Sequence, residues 1–188
     1  GAIVTITEVD SVRALQARMD GFEVVPMNQA ATYGDIFVTV TGDIDVITLN
    51  QIRSMKPGAI LANAGHFDLE IDVKALYAAA IAIEQTRPGL EKITLTDEHH
   101  VYLCGQGRLV NLAAAEGHPS VVMSLSFCGQ ALALEYVVKH HGELSAKVHV
   151  LPKAIDDSIA RLQLTAIDVE IDQLTPAQTK YLASWRVE

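Results

Sequence analysis

Apolar and polar positions along the chain switch between two spacings. Residues 2–7 run through small, β-branched and apolar side chains and stop at Glu8-Val9-Asp10, which predicts a buried strand closing in an acidic turn. Residues 11–19 then place apolar side chains at helical spacing, with Asp10 or Ser11 as N-cap and Gly21 just past the end. The alternation continues with a short strand at 23–25, a helical turn near 28–32, a strand at 35–40, a helix at 48–55 and a strand at 59–63. Strands apolar on both faces, alternating with helices, predict a parallel sheet covered on both sides, that is, a doubly wound α/β domain.

After a helix at 71–80 the pattern changes to paired strands at 92–96 and 101–104, separated by Asp97-Glu98-His99-His100, which reads as a β-hairpin excursion. Beyond His118-Pro119 a long apolar helix runs over 120–140 and is broken by Gly142. A final arm holds Leu151-Pro152, a helix at 155–164 and a short helix opened by Pro176, since proline suits the first helical position.

Composition narrows the function classes. A net charge of −9 over 188 residues, with no Lys/Arg cluster interleaved with aromatics, excludes the basic face that nucleic-acid binding needs. No apolar run is expected to reach the roughly 20 residues that span a bilayer. The first residues lack the basic start of a secretory signal, so a soluble, cytoplasmic protein is expected. The chain opens directly on an apolar strand without an initiator Met, like a chain cut mid-fold. Cys104 and Cys128 have no partner spacing for a disulfide framework or a zinc site and are expected to be free, buried thiols.

In a doubly wound sheet ligands bind beyond the carboxyl ends of the strands, where an acidic side chain can accept both hydroxyls of a ribose. Glu8 stands at such an end, although a carboxylate there is more often a solvated turn or helix-cap residue. Gly-x-Gly-x-x-Gly, the loop that brings a pyrophosphate to a helix N-terminus, occurs nowhere in the chain. Three later strand ends are richer: Thr41-Gly42-Asp43, Asn63-Ala64-Gly65-His66-Phe67-Asp68, and Gly105-Gln106-Gly107 running on to Asn111. Each puts a glycine where a flat ring or ribose would otherwise meet a Cβ, and together they favour a binding site at one sheet edge. His66 and His118 are the candidates for proton transfer or hydrogen bonding near neutral pH. His99-His100 in the hairpin turn and His140-His141 at a helix end need no ligand to explain them, and no metal is expected.

These stretches occur in the order found in one enzyme family. Thr7-Glu8-Val9-Asp10, Gly34-Asp35-Ile36-Phe37-Val38-Thr39, Gly65-His66-Phe67-Asp68 with Glu70-Ile71-Asp72, Gly107-Arg108-Leu109-Val110-Asn111-Leu112 and Gly117-His118-Pro119-Ser120 make the chain resemble S-adenosylhomocysteine hydrolases over essentially its whole length. The resemblance implies the carboxyl-terminal part of such an enzyme: a Rossmann-like NAD domain without its first β-α unit at 1–118, then a crossover helix and carboxyl-terminal helical arm at 119–188. It implies a tightly held NAD that transiently oxidises the ribose 3′-hydroxyl of the substrate, so that homocysteine is eliminated, water adds and adenosine is released.

Carried over by position, Glu8 would hold the adenosine ribose of NAD with Val9 and Arg13 nearby; Thr41, Gly42, Asp43, Ala64 and Gly65 would line the cofactor. Asn111 would meet the nicotinamide carboxamide, and His66 and Asn111 are the implied catalytic positions. His66 would also touch cofactor and substrate and form a gate with Phe67, while His118, Met123 and Phe127 would surround the nucleoside. The family implies a homotetramer acting on S-adenosylhomocysteine or adenosine. Its glycine-rich loop, catalytic lysine and aspartates have no counterpart here, so the chain by itself is expected to be inactive.

The ending at Ala183-Ser184-Trp185-Arg186-Val187-Glu188 looks like the short-tailed bacterial or archaeal type, and Glu116 suits that branch. The resemblance leaves adenine and hypoxanthine open as the base, so S-inosylhomocysteine stands as an alternative substrate. A non-catalytic NAD-binding or oligomerising relative is the competing reading. A 2-hydroxy acid dehydrogenase has the same β-α rhythm but no place for Gly-His-Pro-Ser.

Overall fold

Ala59-Ile60-Leu61-Ala62-Asn63 carries no charged side chain, and it forms the most deeply buried strand, β4 (Ala59–Asn63). The computed structural model describes residues 1–96 and 98–184, and β4 belongs to the first of two units, Gly1–Gly117. On one side β4 pairs in parallel with β3 (Ile36–Thr39), placing Phe37 opposite Leu61; on the other it pairs in parallel with β7 (His99–Cys104), placing Leu61 opposite Leu103. Antiparallel β6 (Leu90–Thr96) and β5 (Ala82–Arg87) complete the five-stranded order β3-β4-β7-β6-β5. A separate parallel pair joins β1 (Thr5–Ile6) to β2 (Glu23–Val24).

Helices α1 (Ser11–Met19), α2 (Met27–Ala30), α3 (Leu49–Ser54), α4 (Val73–Ala79) and α5 (Val110–Ala113) punctuate these strands. Asp10 is the N-cap of α1, its carboxylate accepting from the N–H groups of Val12 and Arg13, both at 2.9 Å. The core gathers Ile52 from α3 and Leu76 from α4 with Phe37, Ile47, Leu61, Ile93, Val101 and Leu103. Full burial of each such side chain is worth about 1.5–3 kcal/mol.

The α/β architecture agrees with the sequence pattern, and three details correct it. The two-sided cover holds for β4 but not for β3, where Phe37 and Thr39 are buried while Ile36 and Val38 are 65% and 54% exposed. Among the described residues β3 has β4 as its only strand neighbour.

The hairpin is a three-strand meander, because β5 turns through Pro88-Gly89 into β6 with Gly89 at φ +75°. The residues of β5, Ala82-Ile83-Glu84-Gln85-Thr86-Arg87, lack the apolar alternation that marks a strand and are all exposed, and pairing with β6 makes the segment one. His99 and His100 lie on β7 rather than in a turn; His99 Nε2 stands 2.9 Å from the carbonyl of Met55. Asp97, in the expected hairpin turn, lies outside the described residues.

The second unit begins at His118 and holds α6 (Ser120–His140), α7 (Lys153–Ala166) and α8 (Pro176–Leu182). Pro119 stands at the N-cap of α6, Pro176 opens α8, and α6 packs on α7. Contrary to expectation, α6 has the length and apolarity of a membrane span, with a mean hydropathy of 1.6 and none of that stretch buried. Length and composition alone give it that property; Ser124, Ser126 and Gln130 interrupt its apolar run.

The cysteines also differ from expectation. Cys104 is half-buried and its thiol is pushed up by burial, whereas Cys128 is exposed because no residue of α6 is buried. Trp185 to Glu188, on which the short-tail reading rests, lie outside the described residues.

Candidate functional site

Because β3, β4 and β7 are adjacent and parallel, their carboxyl ends open on the same edge of the sheet, where the three glycine-bearing turns of the sequence come together. Asn63, the last residue of β4, is fully buried and has all four of its hydrogen-bonding positions used. Its Oδ1 accepts from Thr39 Oγ1 at 3.1 Å and from the N–H of Gly65 at 2.7 Å. Its Nδ2 donates to the carbonyls of Phe67 at 2.7 Å and Gly107 at 2.8 Å. One amide therefore ties the end of β3, the loop after β4 and the loop after β7.

Glu70 does the same for the neighbouring turn. It is 1% exposed, and its Oε2 accepts from the N–H of Thr41 at 2.9 Å and from Thr41 Oγ1 at 2.8 Å, while Oε1 accepts from the N–H of Gly42 at 2.8 Å. Burial alone would push this carboxyl up; the donors from Thr41 and Gly42 outweigh it and hold the group below its ordinary value, ionised at neutral pH. Gly42 has φ +73° and open space where a Cβ would stand, so the turn is both left-handed and uncovered.

Gly65 is required for a different reason. A Cβ there would lie 1.6 Å from Glu70 Oε1, so only glycine lets the loop pass the carboxylate. Next to it, His66 and Phe67 are exposed, with ring centroids 4.6 Å apart in an edge-to-face arrangement. After β7, Gly105 and Gly107 take φ +57° and +78° around Gln106 at +59°, and Leu109 bridges to Asn63 before α5 carries Asn111.

Glu8 lies on the other, two-stranded sheet, just past β1. Its Oε1 accepts from the N–H groups of Val9 at 2.7 Å and Asp10 at 2.9 Å, and those bonds, with the nearby Arg13 charge, lower its pKa. Among the described residues Oε2 has no protein donor, and Val9 and Arg13 are exposed beside it.

The sequence-named residues thus fall into three places. Thr41, Gly42, Asp43, Ala64, Gly65, His66, Phe67 and Asn111 belong to the strand-end cluster of the five-stranded sheet; Glu8, Val9 and Arg13 belong to the β1 end. Met123 and Phe127, four residues apart, share one face of α6 with Ser120 and Ser124 in the second unit, which His118 opens.

Sequence reasoning passed over Asn63 and Glu70 as site builders. A signal was present: Asn63 ends an otherwise apolar strand, and Glu70 interrupts the apolar pair Leu69 and Ile71.

Comparison with known proteins gives this geometry its family. Residues 1–117 match the family described as S-adenosyl-L-homocysteine hydrolase, NAD binding domain. The chain belongs to that family. Among curated relatives, the adenosylhomocysteinase of Aquifex aeolicus is 54% identical over 187 residues, covering 100% of this chain and 45% of that protein. Those of Saccharolobus solfataricus and Thermococcus kodakarensis are 50% and 51% identical, covering 99% and 98% of this chain and 45% and 44% of theirs. The chain spans less than half the length of these curated relatives.

The cofactor of the matched domain is NAD, and the residues present fit it in part. An exposed carboxylate past β1 can accept ribose hydroxyls, and an open left-handed glycine turn leaves room for a flat group. The glycine-rich loop that would meet the pyrophosphate is not among these residues.

Proposed function

We propose that this chain is the cofactor-domain and carboxyl-terminal part of an NAD-dependent enzyme that reversibly hydrolyses S-adenosyl-L-homocysteine to adenosine and homocysteine. The observation that carries the reading is the convergence of the Thr41-Gly42, Gly65-His66-Phe67 and Gly107 turns on Asn63 and Glu70 at one sheet edge, within a domain of the NAD-binding family. The relatives that cover this chain end to end are named adenosylhomocysteinase.

Bound NAD supplies reversible hydride transfer at the substrate ribose. Glu8 would accept hydrogen bonds from the cofactor's adenosine ribose, with Val9 and Arg13 beside it, while Thr41, Gly42, Asp43, Ala64 and Gly65 would line it and Asn111 would hold its carboxamide. His66 holds or moves a proton at the reacting ribose, and Phe67, stacked edge-on against it, screens that centre from water. His118, Met123 and Phe127 contact the nucleoside.

The protein acts as a homo-oligomer, a tetramer in this reading, supported by the exposed apolar side chains of α6, among them Val121, Leu134 and Val138. The net charge of −9 argues against a nucleic-acid partner, and the packing of α6 on α7 favours a helix pair over a membrane span. Free Cys104 and Cys128 accord with a cytoplasmic location.

Native and denatured masses of the complete protein that contains this chain, followed by turnover of S-adenosylhomocysteine, test the reading. One NAD per chain in the native mass, together with homocysteine release, is the expected result. A protein that carries no NAD and releases no homocysteine overturns it. The 188-residue chain alone, without a Gly-x-Gly-x-x-Gly loop, is expected to show no turnover.

A further inference from the structure

A buried carboxylate is costly unless it is fully hydrogen-bonded, and Glu70 meets that condition in an unusual way. At 1% exposure it spends both oxygens on a single dipeptide, Thr41-Gly42, which lies 28–29 residues earlier in the chain and is itself exposed. A left-handed glycine turn at a strand end normally offers its N–H groups to an anion. Here the N–H groups of both Thr41 and Gly42 are taken by Glu70, so what the turn leaves uncovered is the bare Gly42 Cα, beside which there is open space.

The same carboxylate fills the space beside Gly65, where a Cβ would lie 1.6 Å from Oε1. Asn63 in turn accepts from the N–H of Gly65, so the two glycine turns form one hydrogen-bonded body around two buried side chains. The loops behind them are also joined: the N–H of Ile47 donates to the carbonyl of Glu70 at 2.9 Å, and Ile47 bridges Ile71. Glu70 therefore has its backbone anchored on the core side and its side chain on the site side.

We propose that Glu70 is a positioning residue for NAD: its carboxylate holds the Thr41-Gly42 turn in the shape on which the cofactor packs. The proposal rests on the NAD reading given above. It assigns Glu70 no contact with the cofactor; its effect passes through Thr41 and Gly42.

The test uses the complete protein, stripped of NAD and reloaded. Glu70→Gln keeps the size of the side chain but sets an amide N–H₂ against donors. It is expected to weaken NAD binding by roughly tenfold or more and to shift the emission of bound NADH, with the circular-dichroism spectrum unchanged. Thr41→Val, which removes the Oγ1 donor, is expected to weaken NAD binding in the wild-type background and to add less in the Glu70→Gln background than in the wild type, because the two share the Thr41 Oγ1 to Glu70 hydrogen bond.

Glu70→Gln with wild-type NAD affinity and wild-type NADH emission overturns the proposal, as does full additivity of the two substitutions. If Glu70→Gln does not fold, Glu70→Asp, which keeps the charge but draws the carboxylate back from the Thr41-Gly42 turn, takes its place, and unchanged NAD affinity with unchanged NADH emission overturns the proposal. A wild-type protein that binds no NAD overturns the functional reading instead, so the two failures are told apart.

Discussion

Asn63 donates from Nδ2 to the carbonyl of Gly107 at 2.8 Å, joining the carboxyl ends of β4 and β7 across 44 residues of sequence. The same side chain accepts from Thr39 and Gly65, so the relative height of three strand-end loops depends on one buried amide. A hydrogen-bond network of this kind specifies a single arrangement only while each member has its partner.

Asn63→Leu fits the volume but orphans the buried carbonyl of Gly107, N–H of Gly65 and hydroxyl of Thr39, along with the part-buried carbonyl of Phe67. At about 1–3 kcal/mol for each buried group left unpaired, a loss of at least about 3 kcal/mol is expected. Thermal unfolding of the complete protein should show a midpoint lower by about 5 °C or more. A shift within about 1 °C would remove Asn63 from its place as the hub.

Acid should unfold the first unit partly through Glu70. Its carboxyl sits below its ordinary value in the fold because Thr41 and Gly42 donate to the ionised form against the opposing effect of burial. The stabilisation is therefore complete above the unfolded-chain value of about 4.3 and is lost as pH falls through the lower folded value. The difference in thermal midpoint between wild type and Glu70→Gln should be constant from about pH 7 to 5 and shrink below about pH 4. An equal difference at both ends of the range would contradict this.

His66 is exposed at the strand-end cluster, held edge-on by Phe67. In the complete protein His66→Ala is expected to lower turnover of S-adenosylhomocysteine by roughly 100-fold or more, as for loss of a group that assists proton transfer. The far-UV spectrum should stay unchanged, since no described hydrogen bond of the fold uses its ring. Near-normal turnover would end that role.

β3 is an edge strand whose uncovered face presents Ile36 and Val38, 65% and 54% exposed, with Val40 just past its end at 69%. Unpaired edges with apolar side chains recruit other strands. The 188-residue chain on its own is expected to self-associate in light scattering, and Val38→Lys to reduce that association. A monodisperse wild-type monomer would show that this edge is not sticky.

The local spacing of residues was enough to foresee the α/β rhythm, an N-cap at Asp10 or Ser11, the strand at β4, the long helix α6 and the proline at the start of α8. These depend on contacts within a few residues, and side-chain periodicity records them directly. The glycine turns after β3, β4 and β7 were legible for the same reason. Their meeting at one sheet edge was expected from the strand-end rule for parallel sheets, but the order β3-β4-β7 that brings it about, in which residues 36–39 and 99–104 flank 59–63, was not.

Local pattern in the chain was sufficient for the kind of most elements and for many of the residues that mark their ends, together with motifs specific enough to indicate the family. Tertiary structure alone decided that β5, exposed throughout, is a strand, that His99 and His100 belong to β7, and that β3 is covered on one face. It also decided that Asn63 and Glu70, polar residues with no periodic signature, are buried builders of the site. Their burial is stable only because donors and acceptors from distant turns reach them, and those partners become neighbours only when the chain is folded.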